Sequence, residues 1–149
     1  MKALFMLAVT MLLTSIAQSG AMVSPAQTIY HNSAIVVLKP GTYPMYIKAV
    51  KSAQIMSETL KEPGNVYYRL NVISQTLISF DEAWLNGKAL QDHLATPHMT
   101  RFFKTIGFDP QLYTITQEGG STVFRRKVRS SSNYAIEKLI LNGYEFNQN

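Results

Sequence analysis

Two of the three histidines of this chain, its single tryptophan and a strand-borne carboxylate fall within one stretch, Leu77 to Phe103. His93 and His98 can each take up a proton near neutral pH, so either could act as a general base toward a phenolic hydroxyl. Glu82, on a strand face shared with Ile78 and Phe80, would be a buried carboxylate in need of a partner, with His93, Tyr68 or Arg69 in reach. Tyr68, Phe80, Trp84 and Phe102 offer flat apolar surface on which an aromatic ligand could stack. Together these residues predict a site for proton abstraction from a small aromatic molecule in an apolar setting.

Each residue also has a structural role open to it. His93 sits beside leucines and could be a partly buried histidine bonded to the neighbouring strand. His98 opens a helical stretch, where the helix dipole would lower its pKa, or it could be exposed. Glu82 could make a strand-end salt bridge or cap contact. Tyr68 and Trp84 could serve core or dimer packing. On an ideal helix of 3.6 residues per turn, His93 and His98 are about 140° apart. With that geometry, no Cys and no His-x-x-x-His pattern, no metal site is expected. No glycine-rich phosphate loop supports a flavin or nicotinamide dinucleotide, and no cofactor is expected.

The elements that must position these residues can be read from periodicity. Gln27–Leu38 ends in the apolar run Ala34-Ile35-Val36-Val37-Leu38 and predicts a central strand buried on both faces. After Lys39-Pro40-Gly41-Thr42, a helix starts at Tyr43 or Pro44, with Thr42 as its cap. Met45, Ala49, Ala53, Met56 and Leu60 form its apolar stripe. Asn65–Val72 alternates, with Val66, Tyr68, Leu70 and Val72 on one face. A short turn makes it the antiparallel partner of Thr76–Trp84, on which Ile78, Phe80, Glu82 and Trp84 share a face. Asn86 caps a helix that turns Ala89, Leu90, His93 and Leu94 inward, and Thr96-Pro97 restarts it. Met99, Phe102, Phe103 and Ile106 continue its apolar side. Leu112–Thr116 is expected as a fourth strand and Thr122–Val128 as a fifth, hairpinned at Gly119-Gly120. Tyr134–Leu141 has helical spacing at Ile136, Leu139 and Ile140 and predicts a short helix closed by Asn142-Gly143. The order β-α-β-β-α-β predicts an α+β, ferredoxin-like domain over 27–128, with an extra C-terminal strand or short helix and an extension at 129–149.

An ordered set of residues carries a family resemblance over roughly residues 29 to 108. Glu62-Pro63-Gly64, Tyr68, Glu82-x-Trp84 and His93-Leu94-Ala95-Thr96-Pro97-His98 resemble the antibiotic biosynthesis monooxygenase family. These are ferredoxin-like domains that pair as dimeric α/β barrels, and they include cofactor-free quinol oxygenases, haem degraders and some isomerases. The resemblance implies a homodimer formed through one sheet face and a substrate pocket between sheet and helices. The haem degraders use an Asn, a Trp and a His, and the corresponding positions here hold Ala34, His93 and Phe103, so haem degradation loses most of its support. What the resemblance then implies is oxidation of a quinol-like or phenolic small molecule by O₂ without a cofactor. A dimeric module that binds a small molecule or serves a stress response without catalysis is the alternative, since one fold hosts many functions.

Chain-wide features set the context. At 149 residues there is room for one domain. Met1-Lys2, the apolar run Ala3–Leu13 and the small residues around Ala17 and Ala21 predict a secretory signal peptide over 1–21, cleaved near 17–21. Its apolar run is too short for a stable membrane anchor. A secreted or periplasmic location follows as an expectation, and it departs from the usual cytoplasmic setting of the resembled family. The formal charge of +5 is concentrated at Arg125, Arg126, Lys127 and Arg129. Such a cluster reads as a solvated edge or a contact for anionic lipid. It forms no basic stripe, so no nucleic-acid partner is expected.

Overall fold

A computed structural model of the chain describes residues 28–127 and 134–147, and the signal-peptide expectation lies outside them. Six antiparallel strands form one sheet: β1 (Thr28–Leu38), β2 (Asn65–Ser74), β3 (Leu77–Trp84), β4 (Tyr113–Glu118), β5 (Ser121–Arg126) and β6 (Ile136–Asn147). Their order across the sheet is β2-β3-β1-β6-β5-β4. Four helices pack on one face: α1 (Tyr43–Ser52), α2 (Ile55–Thr59), α3 (Gly87–Leu94) and α4 (Pro97–Thr105). The first four strand positions, with β6 as the fourth, reproduce the ferredoxin-like split βαβ arrangement. The β4–β5 hairpin lies outside that frame and widens the sheet.

This arrangement corrects the expected C-terminal helix. Tyr134–Leu141 is not helical: Ile136 begins a strand flanked by β1 on one side and β5 on the other. The spacing of Ile136, Leu139 and Ile140 fits both periods, and two-sided backbone pairing decides for the strand, with Val36 opposite Leu139 and Ile35 opposite Ile140. Residues 136–147, expected within an extension, thereby supply the fourth strand of the fold. Leu112–Thr116, expected in that position, supplies instead most of the outermost strand, β4.

Strand β1 alternates rather than burying both faces. Tyr30, Asn32, Ala34, Val36 and Leu38 are buried under the helices, whereas Ile35 and Val37 on the opposite face are half-exposed. The expected single helix over 43–60 is broken at Gln54, whose φ of 55° is left-handed. The break shifts the helical phase, so Ile55 and Thr59 turn inward and Leu60 is left 58% exposed. The Thr42 hydroxyl donates to the Lys39 carbonyl (2.6 Å) and does not cap α1. The register shift between Asn65 and Tyr67 leaves Val66 exposed, whereas Val72 keeps its register opposite Ile78 yet is exposed near the end of the edge strand; Tyr68 stays buried. The inward set of β3, Ile78, Phe80, Glu82 and Trp84, is buried as its alternation predicts. Asn86 caps α3 by accepting from the Ala89 amide (2.9 Å), and Thr96 caps α4 by accepting from Met99.

Candidate functional site

Sheet register builds the floor of the site. Tyr68 on β2 is paired with Glu82 on β3, and Glu82 is paired with Asn32 on β1, so the three side chains stand in one row on the helix-facing side. Asn32 Nδ2 donates to Glu82 Oε1 (2.5 Å), and Trp84 Nε1 donates to Oε2 (3.0 Å). Both carboxylate oxygens are thus engaged in a fully buried position. Burial pushes the Glu82 pKa up, opposed by His93 and by the Asn32 and Trp84 hydrogen bonds. Burial likewise drives the Tyr68 hydroxyl well above its usual range, and the nearby Glu82 adds to the shift.

The helices close the site from above. His93, in the last turn of α3, is 1% exposed. Its ring lies over Trp84 with centroids 4.6 Å apart and planes tilted by 33°, and 5.5 Å from Tyr68. Its Nδ1 is 2.8 Å from Glu62 Oε1. The same oxygen is 3.0 Å from His98 Nε2. The break between α3 and α4 at Ala95-Thr96 makes this sharing possible: His98 begins a new helix and does not continue the first one. The 140° separation expected for an unbroken helix therefore does not apply. His98 is buried rather than exposed, and burial lowers its pKa, with Glu62 opposing. Among the described residues, Glu62, His93 and His98 are the group able to hold a metal ion, their donor atoms lying within 4.8 Å of one another.

Glu62 is delivered by a constrained loop. Gly64, two residues on, packs against α3 so closely that a Cβ there would fall 2.4 Å from Ala89 Cβ. The backbone carbonyl of Gly64 also accepts from the Leu85 amide (2.9 Å), tying the loop to the end of β3.

Between sheet and helices lies a cavity of about 80 Å³. Its polar wall is Asn32, Glu82 and His93, and its apolar wall includes Tyr68, Phe80, Phe102 and Phe103. Of the residues singled out from sequence, Glu82, His93, Tyr68, Phe80 and Phe102 meet at this cavity. Trp84 and His98 are not among its lining residues: Trp84 is buried between Glu82 and His93, and His98 lies behind Glu62. Sequence reasoning assigned no role to Asn32 or Glu62. Glu62 stood within the Glu62-Pro63-Gly64 segment of the family resemblance, and that was its available signal. Asn32, on the strand face it shares with Tyr30, Ala34, Val36 and Leu38, carried the mark of a buried polar residue in need of a partner.

No protein-family model and no curated protein matches the chain. Solved structures do. A Shewanella oneidensis protein is 19% identical with a TM-score of 0.55, the match covering 80% of this chain and 92% of that one. An antibiotic biosynthesis monooxygenase is 26% identical with a TM-score of 0.47, over 52% of this chain and 82% of that one. A Pseudomonas aeruginosa protein is 15% identical with a TM-score of 0.48, over 87% and 98%. The likeness to the Shewanella protein is one of fold, and proteins named antibiotic biosynthesis monooxygenases stand among the structures similar to this chain.

Proposed function

We propose that this protein is a monooxygenase-type oxidoreductase that oxidises a small phenolic or quinol-like aromatic with O₂ and needs no cofactor to do so. The observation that carries the reading is the Glu62–His93 hydrogen bond behind the wall of an apolar cavity. In this reading Glu62 accepts from His93 Nδ1–H, which leaves Nε2 as the basic atom of the ring, in the way a carboxylate orients a catalytic imidazole. In this reading the substrate hydroxyl gives its proton to His93 Nε2. The phenolate then passes one electron to O₂, and the phenoxyl radical and superoxide recombine at a ring carbon. Loss of water leaves a quinone, so one oxygen atom enters the ring and the other, with two hydrogens from the substrate, leaves as water. Glu82, held by Asn32 and Trp84, is the hydrogen-bond partner that orients the polar end of the substrate.

The cavity is smaller than the roughly 150 Å³ that houses a benzene molecule in an engineered core. A ring therefore enters only as lining side chains shift, and Leu94, Phe103 and Leu141 are the half-exposed members of the wall. Exclusion of water by the apolar wall would protect the phenolate and superoxide. The protein acts, in this reading, as a secreted or periplasmic homodimer that covers the open sheet face.

The test is oxygen uptake by chelator-treated protein with a panel of hydroquinones and naphthols. Saturable uptake with one quinone formed per O₂ supports the reading. Tight binding of the same compounds without uptake refutes it and identifies a binding module.

A further inference from the structure

We propose that Glu62, His93 and His98 form a site for one divalent transition-metal ion of the zinc class, placed behind the cavity, and that an ion bound there switches off the His93 base. The three ligands come from three separate elements: the loop after α2, the last turn of α3 and the first turn of α4. Two nitrogens and one carboxylate oxygen are a donor set suited to borderline divalent ions.

The donors already converge. Glu62 Oε1 stands 2.8 Å from His93 Nδ1 and 3.0 Å from His98 Nε2. In a tetrahedral site with bonds of about 2.1 Å, neighbouring ligand atoms lie roughly 3.4 Å apart, so the oxygen–nitrogen edges open by about half an ångström. A second observation is the surplus of oxygen around one nitrogen. His98 Nε2 has Glu62 Oε1 at 3.0 Å, Thr96 Oγ1 at 3.3 Å and Thr59 Oγ1 at 3.4 Å. Thr96 Oγ1 already donates to the His93 carbonyl and accepts from the Met99 amide, so the one proton or lone pair of the ring nitrogen is left between Glu62 Oε1 and Thr59 Oγ1 and satisfies one of the two. A cation at the centre of the group accepts a lone pair from the nitrogen and also from the oxygens. Thr59 is fully buried and His93 and His98 are buried, so the site is shielded from bulk water except on the Glu62 side.

Position and consequence follow from the cavity wall. His93 lines the cavity, whereas Glu62 and His98 do not. An ion bound to Nδ1 lies on the far side of the ring from the substrate. Coordination requires a lone pair on Nδ1, so the proton of the neutral ring moves to Nε2. Nε2 then carries hydrogen instead of the lone pair that would take the substrate proton. This silencing rests on the function proposed above, but ion binding does not.

The site is tested first without any substrate. Chelator-treated protein is titrated with Zn²⁺ by calorimetry, and with Co²⁺ by its visible absorption. One ion per chain is expected. His98→Gln and Glu62→Gln should each weaken binding by more than the roughly 10- to 100-fold typical of losing an outer-shell partner. His31→Gln should leave it unchanged. Near-UV circular dichroism confirms that each variant is folded. For the wild type, ¹⁵N shifts of His93 should report the proton moving from Nδ1 to Nε2 as Zn²⁺ is added, a readout that needs no variant. Absence of binding, binding unaltered in His98→Gln, or a His93 resonance that zinc leaves in place overturns the site. If the ion binds as described while oxygen uptake continues undiminished, the switching role is overturned. A protein that binds zinc at these residues but never consumes oxygen refutes the oxidase reading and leaves the metal site standing.

Discussion

Gly64 and Ala89 stand in contact so close that the glycine has no room for a side chain: a Cβ built on Gly64 would lie 2.4 Å from the Cβ of Ala89. Neither atom is the end of a flexible chain, so Gly64→Ala must push the loop away from α3. The loop carries Glu62, and its displacement should lengthen the bond to His93. The expected cost is about 1–3 kcal/mol, the usual penalty of overpacking. Adding Ala89→Gly should recover part of it, so the two changes together cost less than their sum. Urea denaturation of the two single variants and the double variant measures this, and additive losses would show that the contact is not what constrains the loop.

His93→Gln keeps a polar side chain of similar reach and removes the base. If the proposed chemistry holds, turnover per folded molecule should fall by roughly 10²- to 10⁴-fold. Gln can still donate to Glu62, so the melting temperature should move by a few degrees at most. Oxygen uptake and melting are read on the same sample. Full turnover in a folded variant removes His93 from the reaction.

Glu82 links the site to pH. Its folded pKa is raised above the ordinary 4.5 chiefly by burial. A carboxyl with a raised folded pKa contributes most to stability below 4.5, and that contribution is lost as pH rises through its folded value. Glu82→Gln abolishes the titration while keeping a group that can accept one of the two hydrogen bonds. The stability of the variant relative to the wild type should therefore climb as pH increases from 4.5 toward neutrality. Denaturation midpoints across that range test the sign, and a flat difference would mean that the Glu82 pKa is not raised in the fold.

Tyr113 predicts an alkaline limb. Its hydroxyl donates to the Ile136 carbonyl (2.6 Å), joining the start of β4 to the start of β6. Burial pushes its pKa from the ordinary 10.0 up to about 12, with Arg126 opposing. The unfolded chain ionises first, so this contribution is complete below pH 10 and disappears as pH approaches 12. Tyr113→Phe should cost about 1–3 kcal/mol at neutral pH, because the Ile136 carbonyl loses its donor. It should also flatten the alkaline decline. An unchanged alkaline slope in the variant would refute the assignment.

The open face of the sheet predicts association. Ile29, Ile35, Val37, Leu77 and Ile140 are half-exposed there, with none of the described helices over them. A second copy packed against this face would bury them. Light scattering at micromolar concentration should give twice the chain mass, and a strict monomer removes the dimer from the proposal.

Much of this molecule is decided by local chemistry that the sequence displays by itself. Asn86 and Thr96 announce two helix starts because their side chains can accept amide hydrogens three residues on. The two-residue link between β2 and β3 admits only an antiparallel hairpin, and period-two alternation sends Phe80, Glu82 and Trp84 inward. These are relations between near neighbours, and one chain segment contains all the information they need. The site itself is made of relations between distant segments. Asn32 meets Glu82 fifty residues away, and His93 meets Glu62 thirty-one residues away. Periodicity is silent about which strand lies opposite which, or how two helices separated by a break are angled. For the same reason Ile136–Asn147 is a strand: its spacing suits either element, and hydrogen bonding to β1 and β5 selects one. Tertiary structure thus settled the fourth strand of the fold, the row Tyr68–Glu82–Asn32 and the convergence of two histidines on one carboxylate oxygen. In each case the deciding energy lies in a contact across the sheet or between layers, where register and packing, rather than local propensity, choose the partner.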